Sequence, residues 1–185
     1  MALESKETAV LFGGSFDPPH KGHIEIVKRV RQECGVGKVI VVPTWLNPFK
    51  SSFHASPQKR LEWCRRVFEP EGAVVEPCEI EKRRAVYTIE TVRELEKSYE
   101  IKGIVIGSDN LPSIKRWKEF EKLDDTLTWC VVSRNGGKMD LSILKNAVGI
   151  HLDIPVSSSD IREGKKWEYL PESIADEAMA IYNKI

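Results

Sequence analysis

The sequence lacks the features that define several large classes of protein. No apolar run approaches the ~18 residues of a membrane-spanning helix, and the first residues show no basic segment followed by an apolar one. Lys and Arg number 28 and Asp and Glu also number 28, so no overall charge would attract the chain to nucleic acid or to an anionic membrane. We therefore expect a cytoplasmic protein without a nucleic-acid or membrane partner, in which a local cluster binds any anionic ligand.

Metal-binding and nucleotide-binding signatures are scarce too. The four cysteines form no CxxC pair and have no histidine at zinc-site spacing, which predicts free thiols: Cys34, Cys64, Cys78 and Cys130. The glycine-rich stretch after the first apolar run matches neither GxGxxG nor GxxxxGK[ST]. A dinucleotide-binding turn of the common type and a P-loop are therefore disfavoured.

What the chain does contain is an alternation of two patterns. Apolar runs rich in Val and Ile occur at 9–12, 39–42, 73–75, 104–106, 127–132 and 150–154, and such runs suit strands buried on both faces. Between them, apolar residues recur at helical spacing around 24–30, 61–68, 89–95 and 141–148, and again in 171–185. The alternation predicts an α/β fold with a parallel sheet and crossover helices, and the length of 185 residues fits a single domain, 1–185.

Some helix starts and one loop are marked chemically. Ser56 followed by Pro57 reads as an N-cap with proline at the first helical position, and Asp140 and Ser158 are further candidate caps. The irregular stretch 44–56 is longer than a usual α/β connection. We expect it to be a functional loop, and its length makes it a candidate lid over the substrate.

The stretch GGSFDPPHKGH, residues 13–23, follows the first predicted strand. Ligands of open parallel sheets bind beyond the carboxyl ends of strands. Gly13 and Gly14 would allow close approach of a ligand and backbone angles closed to other residues, and two prolines would stiffen the loop. A helix that begins near Gly22 would offer free N–H groups to an anion.

His20 and His23 lie three residues apart, so both rings can reach one ligand from the start of that helix. Imidazole donates a hydrogen bond to a phosphoryl oxygen whether or not it is ionised, and this pair therefore indicates phosphoryl or nucleotidyl transfer. A metal pair, with Asp17 as the further ligand nearby, and a purely structural role are the alternatives.

Two later motifs also carry polar groups. In VSSSDIREG, residues 156–164, Ser158 or Ser159 can cap a helix and Arg162 could fork onto a phosphate, although an ordinary capped surface helix fits as well. In IVIGSDNLPSIKRW, residues 104–117, Asp109 follows a strand end and either binds ribose hydroxyls or caps a helix. Trp117 is either a core anchor or a stacking platform.

The remaining candidates lie in three other segments. In AVYTIETVREL, residues 85–95, Thr88 is expected to start a helix whose free N–H groups could bind a small carboxylate, or simply to begin a capped helix. Lys50 and Arg134 are basic residues in expected sheet-edge loops. A lone basic residue is more often only solvated.

Taken together, these motifs resemble those of a known family. GGSFDPPHKGH resembles the (T/H)xGH region of the nucleotidyltransferase superfamily, and the chain from Val10 to about Tyr182 resembles the bacterial nicotinate-nucleotide adenylyltransferases. The SSSDIR, GSDNL and YTIET segments are similar to that family's ISSTxIR, GxDxL and YTxxT segments. Phe49 and Asn135 depart from it, since the family usually has histidine and proline at those positions.

The resemblance implies a Rossmann-like open, mainly parallel sheet with helices on both faces, and adenylyl transfer from ATP to nicotinate mononucleotide with Mg²⁺. It implies catalytic roles for His20, His23, Lys50 and Arg162. It implies ATP binding by Gly13, Gly14, Ser15, Phe16, His20, His23, Gly107, Asp109, Ser157, Ser158, Ser159 and Arg162. It implies binding of the mononucleotide by Tyr87, Thr88, Trp117 and Arg134.

Several alternatives stay open. Phosphopantetheine or nicotinamide mononucleotide could be the acceptor, although the phosphopantetheine enzymes usually have Thr where His20 stands. A non-catalytic nucleotide-binding regulator is an alternative from another class. The sequence sets no oligomeric state.

Overall fold

A computed structural model describes residues 5–46, 51–134, 136–137 and 139–183 of the chain. Six strands form one sheet: β1 (Thr8–Gly14), β2 (Lys38–Pro43), β3 (Val74–Val75), β4 (Glu100–Gly107), β5 (Thr128–Arg134) and β6 (Ala147–Leu152). The α-helices are α1 (Lys21–Cys34), α2 (Pro57–Phe68), α3 (Cys78–Lys82), α4 (Thr88–Leu95), α5 (Phe120–Thr126), α6 (Ser158–Arg162) and α7 (Ala175–Tyr182). Short 3₁₀ helices span Glu69–Glu71, Ser108–Arg116, Leu141–Ile143 and Trp167–Tyr169.

The strand order is β3-β2-β1-β4-β5-β6, and each neighbouring pair is parallel. This is the order of doubly wound nucleotide-binding sheets, in which the connections diverge on either side of the first strand. The predicted Rossmann-like parallel sheet is confirmed. The point of divergence lies between β1 and β4, so a ligand cleft is expected at the carboxyl ends of these two strands.

Helices cover both faces of the sheet because alternate strand residues feed two separate cores. In β1, Val10 and Phe12 pack into the core beneath α1, α2 and α7, whereas Ala9 and Leu11 pack into the core beneath α4 and α5. Continuous apolar runs such as 9–12 are what a strand buried on both faces requires. Full burial of one Val or Leu side chain stabilises the fold by about 1.5–3 kcal/mol. Burial of alternate strand residues in two cores therefore stabilises this arrangement of the sheet between its helices.

The helical spacing at 141–148 did not produce a helix. Residues Leu141–Ile143 form a single 3₁₀ turn capped by Asp140, and Val148 instead pairs with Cys130 in the sheet. Pairing of this segment as the edge strand satisfies its backbone groups, which outweighs a weak spacing signal. The same strand ends at Leu152, before the predicted end at residue 154.

The cysteines are free thiols, as predicted. Two of them are close neighbours, which their spacing in the sequence did not predict: the Sγ atoms of Cys34, at the end of α1, and Cys130, in β5, lie 2.6 Å apart. No helix in the described part of the chain combines the length and apolar character needed to cross a membrane.

Candidate active site

The first strand-to-helix turn lies at the carboxyl edge of the sheet, where the sequence placed it. Gly14 ends β1, and a side chain there would meet the ring of Phe16 at 3.0 Å. Gly13 and Gly14 do not adopt the backbone angles closed to other residues that glycine allows, because the positive φ in this turn, 46°, belongs to Phe16. Both glycines lie in extended β1, and only Gly14 is closely packed, since a Cβ atom at Gly13 would come no nearer than 4.0 Å to the Val42 carbonyl oxygen.

His20 and His23 stack on each other at the start of α1. Their ring centroids are 3.6 Å apart and the ring planes differ by 20°. Gly22 allows this arrangement, because a Cβ atom there would lie 3.0 Å from Nδ1 of His20 and 3.0 Å from Cγ1 of Val156. The expected juxtaposition of the two imidazoles is therefore present, although only His23 lines the adjoining cleft.

Hydrogen bonding fixes the tautomer of His23. Its Nδ1 accepts a hydrogen bond from the backbone N–H of His20 at 3.2 Å, so the proton of the neutral ring lies on Nε2 and can be donated. Burial, together with the neighbouring His20 ring and the positive charge of Arg134, holds the pKa of His23 well below its usual range. His23 is therefore a neutral hydrogen-bond donor at physiological pH.

His20 lies behind His23 and is 1% exposed. Burial, aided by the nearby guanidinium of Arg134, lowers the pKa of His20 to about 3. Both of its ring nitrogens are buried without a hydrogen-bond partner among the described residues. Because buried polar atoms are nearly always paired, these nitrogens indicate that a polar group of a ligand belongs beside them.

The SSSDIR segment, residues 157–162, is hydrogen-bonded to the first strand-to-helix turn. Ser158 Oγ donates to the carbonyl oxygen of Pro18 at 2.9 Å, and Arg162 Nη1 donates to that of Asp17 at 2.6 Å. Arg162 Nη2 also donates to Ser159 Oγ at 3.0 Å, which leaves N–H groups of the guanidinium for a further ligand. Two motifs far apart in the sequence thus form one surface.

Ser157, rather than Ser158 or Ser159, is the N-cap of α6. Its Oγ accepts from the N–H of Asp160 at 3.1 Å, and its own N–H donates to Asp160 Oδ2 at 2.9 Å. The carboxylate of Asp160 makes this reciprocal cap possible, and the sequence expectation was one or two residues late. The hydroxyl hydrogens of Ser157 and Ser158 are used within the protein, whereas Ser159 keeps its own for another acceptor.

Asp109 is exposed at the end of β4 and lines the cleft. It does not cap the following 3₁₀ helix, because Gly107 occupies the N-cap position and Asp109 lies in the first turn. A side chain at Gly107 would meet Oδ1 of Asp109 at 2.3 Å, so glycine here leaves the carboxylate room to turn toward the cleft. The exposed carboxylate, whose Oδ1 accepts only a long hydrogen bond of 3.5 Å from Asn110 Nδ2, is available to accept hydrogen bonds from ligand hydroxyls.

Aromatic residues surround the start of α4. Trp117 is half-buried, with its ring edge-on to Trp129 at 6.0 Å, and it also lines the cleft. Trp117 can therefore be both a core anchor and a stacking platform. Tyr87 precedes α4 and is 48% exposed, with the ammonium of Lys118 4.7 Å from its ring centre. Thr88 is the first residue of α4, as predicted, so its N–H belongs to the unpaired first turn.

Two basic residues complete the predicted set. Arg134 ends β5, is exposed, lines the cleft and donates from Nη1 to the carbonyl oxygen of Val156 at 2.6 Å. Lys50 lies outside the described residues, as do Phe49 and Asn135.

Asp17 is a structural residue that the sequence did not identify as one. Its carboxylate is 4% exposed and accepts hydrogen bonds from Tyr182 Oη at 2.6 Å, from the N–H of His54 at 2.8 Å and from that of Ala55 at 3.0 Å. Within the described ranges no three His, Cys, Asp or Glu side chains are grouped as a metal site. With its oxygens occupied in this way, Asp17 is a poor partner for a metal shared with the histidines.

Arg60 is a second structural residue that the sequence did not identify. It is 1% exposed, and its guanidinium donates to the carbonyl oxygens of Ser15 at 2.6 Å, Thr44 at 2.8 Å and Trp45 at 2.8 Å. Asp17 and Arg60 therefore hold the two ends of the 44–56 loop against the first turn. An arginine at helical spacing in an amphipathic helix gives no sign of such a role.

The predicted residues meet in one cleft of about 730 Å³ at the carboxyl edge of the sheet. Those that line it are Gly13, Gly14, Ser15, Phe16, His23, Tyr87, Thr88, Gly107, Asp109, Trp117, Arg134, Ser157, Ser158, Ser159 and Arg162. Glu79, a buried carboxyl group on α3, lines it as well and was not predicted. Its position shortly after β3, at the ligand edge of the sheet, is the signal that could have found it. A smaller cavity of about 260 Å³ adjoins the cleft, and Arg162 and the residues on both sides of 47–50 line it.

Known proteins are similar to this chain in sequence and in fold. The family described as Cytidylyltransferase-like matches residues 11–164. A protein of Sulfurovum sp. named "Probable nicotinate-nucleotide adenylyltransferase" is 42% identical over 94% of this chain and 93% of its own length. A protein of Nitratiruptor sp. with the same name is 45% identical over 93% and 97%.

Solved structures agree in fold. The structure of Plasmodium falciparum nicotinic acid mononucleotide adenylyltransferase complexed with NaAD superposes with a TM-score of 0.76 at 20% identity, covering 96% of both chains. A putative nicotinate-nucleotide adenylyltransferase from Vibrio parahaemolyticus superposes with a TM-score of 0.62 at 17% identity, covering 94% of this chain and 99% of its own. With this fold, and with relatives that match nearly its whole length, the chain belongs to the nicotinate-nucleotide adenylyltransferases of the cytidylyltransferase-like family.

Proposed function

We propose that this chain transfers the adenylyl group of ATP to nicotinate mononucleotide, forming nicotinate adenine dinucleotide and pyrophosphate. The observation that carries the proposal is the single cleft in which phosphate-binding groups and an aromatic pocket meet. His23 and Arg162 lie at the first turn, and Trp117 and the start of α4 line the same cleft. A dinucleotide needs both kinds of surface, since it contains phosphates and a flat ring.

The reaction is an in-line displacement at the α-phosphorus of ATP. An oxygen of the mononucleotide's 5′-phosphate forms the new P–O bond, and the bond to the β-phosphate bridging oxygen breaks, so pyrophosphate leaves with that electron pair. The attacking phosphate is already anionic, and no general base is required. The protein's contribution is then positioning and stabilisation of the charge that develops on the phosphoryl oxygens.

The histidine pair performs the second task. Nε2–H of His23 donates to an oxygen of the α-phosphate, since its Nδ1 is already occupied by the N–H of His20. The unpaired nitrogens of His20 supply a second contact once a phosphate oxygen takes its place beside them. Neutral donors suit this role, because their hydrogen bonds strengthen as charge builds up in the transition state.

The leaving pyrophosphate is bound by cations and small donors. Arg162 and Lys50 neutralise it, and the unused hydroxyl hydrogen of Ser159 donates to it. The glycine turn, Ser15, Phe16 and the first N–H groups of α6 frame the triphosphate together with Ser157 and Ser158. Mg²⁺ would be held mainly by the phosphates of ATP, with few protein ligands, and would neutralise part of their negative charge.

The two nucleosides occupy opposite sides of the reacting phosphorus. Asp109 binds the adenosine ribose through its exposed carboxylate, and Gly107 leaves room for that carboxylate. Trp117 stacks on the pyridine ring, Tyr87 and Thr88 bind its carboxylate with backbone N–H groups, and Arg134 adds positive charge. The whole chain, 1–185, works as one nucleotidyltransferase domain in the cytoplasm, without nucleic-acid or membrane partners.

The test is pyrophosphate release from ATP and Mg²⁺ with three acceptors side by side: nicotinate mononucleotide, nicotinamide mononucleotide and phosphopantetheine. The proposal expects release with nicotinate mononucleotide at the highest kcat/KM and a product with the mass of nicotinate adenine dinucleotide. Release mainly with phosphopantetheine would contradict the acceptor. Binding of ATP without release with any acceptor would identify a nucleotide-binding regulator instead.

A further inference from the structure

Glu79 lines the cleft and has a carboxyl oxygen without a hydrogen-bond partner among the described residues. The residue is 5% exposed, and its Oε1 accepts a hydrogen bond from Thr91 Oγ1 at 2.5 Å. Its Oε2 is buried and has no hydrogen-bond partner in the described part of the chain. A buried oxygen of this kind is uncommon in a folded protein, and it indicates that a ligand completes its hydrogen bonding.

The position of Glu79 identifies the part of the cleft that it serves. Thr91, which holds its Oε1, lies one helical turn after Thr88, the first residue of α4. Val86, Tyr87 and Trp117 line the cleft together with Glu79 and Thr88. If the proposed function is right, this is the end of the cleft that receives the pyridine ring.

The surroundings keep both protonation states of Glu79 accessible near neutrality. Burial raises the pKa of Glu79 to about 7, against the opposing effects of the Thr91 hydrogen bond and the ammonium of Lys82. The carboxylate of Glu90 on α4 adds to the increase, and on α3 the Cys78 thiol is the neighbouring titratable group. A ligand that prefers one state can therefore select it without a large free-energy cost.

The acid and amide forms of the pyridine substituent need opposite partners at this oxygen. A carboxylate only accepts hydrogen bonds, so it needs a protonated Glu79 that donates its O–H and is repelled by an ionised one. A carboxamide has an N–H₂ group that donates to an ionised Glu79. Discrimination by one buried polar contact can be large, because the wrong substituent leaves the contact unmade.

We propose that Oε2 of Glu79 contacts the 3-substituent of the pyridine ring, and that a proton on this oxygen selects the acid mononucleotide over the amide. The inference rests on the proposed function, because that function places the pyridine ring in this part of the cleft. Glu79 is a specificity-determining residue in this account and takes no part in the displacement at phosphorus.

The experiment measures kcat/KM for nicotinate and nicotinamide mononucleotides between about pH 6 and pH 9 and follows their ratio. Ionisation of the substrate phosphate and general effects on folding cancel in the ratio, while kcat/KM reports ionisation of the free protein. In the unaltered chain the acid-to-amide ratio falls as the pH rises through 7, by up to tenfold per pH unit. In Glu79→Gln the ratio is independent of pH, because an amide donates and accepts at every pH.

Two further variants make the result specific. Thr91→Val removes the hydrogen bond that lowers the pKa of Glu79, so the fall in the ratio moves to higher pH. Glu81→Gln changes an exposed residue of the same short helix and leaves the profile of the ratio unchanged. Because Thr91→Val keeps the carboxyl group, the inference can be judged even if Glu79→Gln does not fold.

The outcomes separate the inference from the function on which it rests. Product formation with a ratio that is flat from pH 6 to pH 9 in the unaltered chain overturns only the inference. The same follows if Glu79→Gln retains the original dependence on pH. No product from either mononucleotide overturns the proposed function and, with it, this role of Glu79.

Discussion

Ser158 Oγ donates a hydrogen bond of 2.9 Å to the carbonyl oxygen of Pro18, across 140 positions of the sequence. Arg162, one turn later, donates to the neighbouring carbonyl of Asp17 at 2.6 Å. The two motifs expected to bind phosphate are therefore fixed to each other before any ligand arrives. Such preorganisation lowers the barrier of a reaction that depends chiefly on positioning.

Ser158→Ala tests this connection. Loss of the hydroxyl leaves the Pro18 carbonyl oxygen without this donor, and we expect the free energy of unfolding to fall by about 1 kcal/mol. KM for ATP rises severalfold because α6 is no longer held against the first turn. Urea denaturation and steady-state kinetics measure the two effects.

A suitable control is Ser142→Ala, since the Ser142 hydroxyl bonds only to nearby Asp140, outside the cleft. It should leave KM for ATP unchanged. Equal KM values for both variants would show that the connection between Ser158 and Pro18 does not position the phosphate site.

His23→Ala should lower kcat far more than it weakens ATP binding. The Nε2–H group stabilises charge that is greatest in the transition state, and removal of one such donor typically costs about 10²- to 10³-fold in kcat. KM for ATP should change by much less. Pyrophosphate release at saturating ATP measures kcat, and calorimetric titration measures ATP binding.

His151→Ala is the matched control, because His151 is exposed and its ring bonds to Ser133 away from the cleft. Turnover close to that of the unaltered chain is expected. Near-normal turnover in His23→Ala itself would contradict the mechanism.

Gly22→Ala examines the stacking of the imidazoles. In an ordinary helix this change stabilises, since alanine has the higher helix propensity by about 1 kcal/mol. Here the new methyl group would lie 3.0 Å from the His20 ring and from Val156, so the ring must move. We expect kcat to fall at least tenfold while the melting temperature changes little.

The control for Gly22→Ala is Gly37→Ala, where the closest atom is at 3.2 Å and belongs to the end of the flexible Glu7 side chain. Unaltered kcat in Gly22→Ala would show that the stacked arrangement is not needed for turnover.

The parts of the site that sequence predicted are those formed by local rules. A strand at 9–12 followed by Gly13 and Gly14, a helix that starts near Gly22 and a second that starts at Thr88 were all predicted from short-range patterns, and parallel topology brings strand ends to one edge. Glu79 and Arg60 could not be predicted in this way. Their roles depend on contacts with residues distant in the sequence, and the spacing of apolar residues along the chain does not predict such contacts.

Errors in the fold have the same origin. The segment 141–148 has helical spacing, but its last residues, Ala147 and Val148, pair with β5. Pairing of an edge strand depends on the neighbouring strand, here β5, and this contact outweighs the local preference for a helix.

The Asp17 carboxylate should make the stability of the chain depend on pH. Burial alone would raise the pKa of Asp17, but the hydrogen bonds from Tyr182, His54 and Ala55, together with the charge of Arg60, bring it below its ordinary value of 3.8. A carboxyl group whose pKa is lower in the folded state stabilises the fold above the unfolded value. That contribution is lost as the pH falls through the folded value.

Asp17→Asn should therefore lower the free energy of unfolding at pH 7 by about 3 kcal/mol, because it breaks a buried charged network and leaves Arg60 without its counter-charge. The difference from the unaltered chain should narrow as the pH falls below 3.8, because the carboxyl of the unfolded chain is protonated first and that of the folded chain only at still lower pH. Urea denaturation at pH 7 and at about pH 3 measures it. Asp140→Asn, at an exposed turn, should cost no more than about 0.5 kcal/mol at either pH. If Asp17→Asn destabilised the chain equally at both pH values, packing rather than the charge of Asp17 would be what holds the 44–56 loop and α7 together.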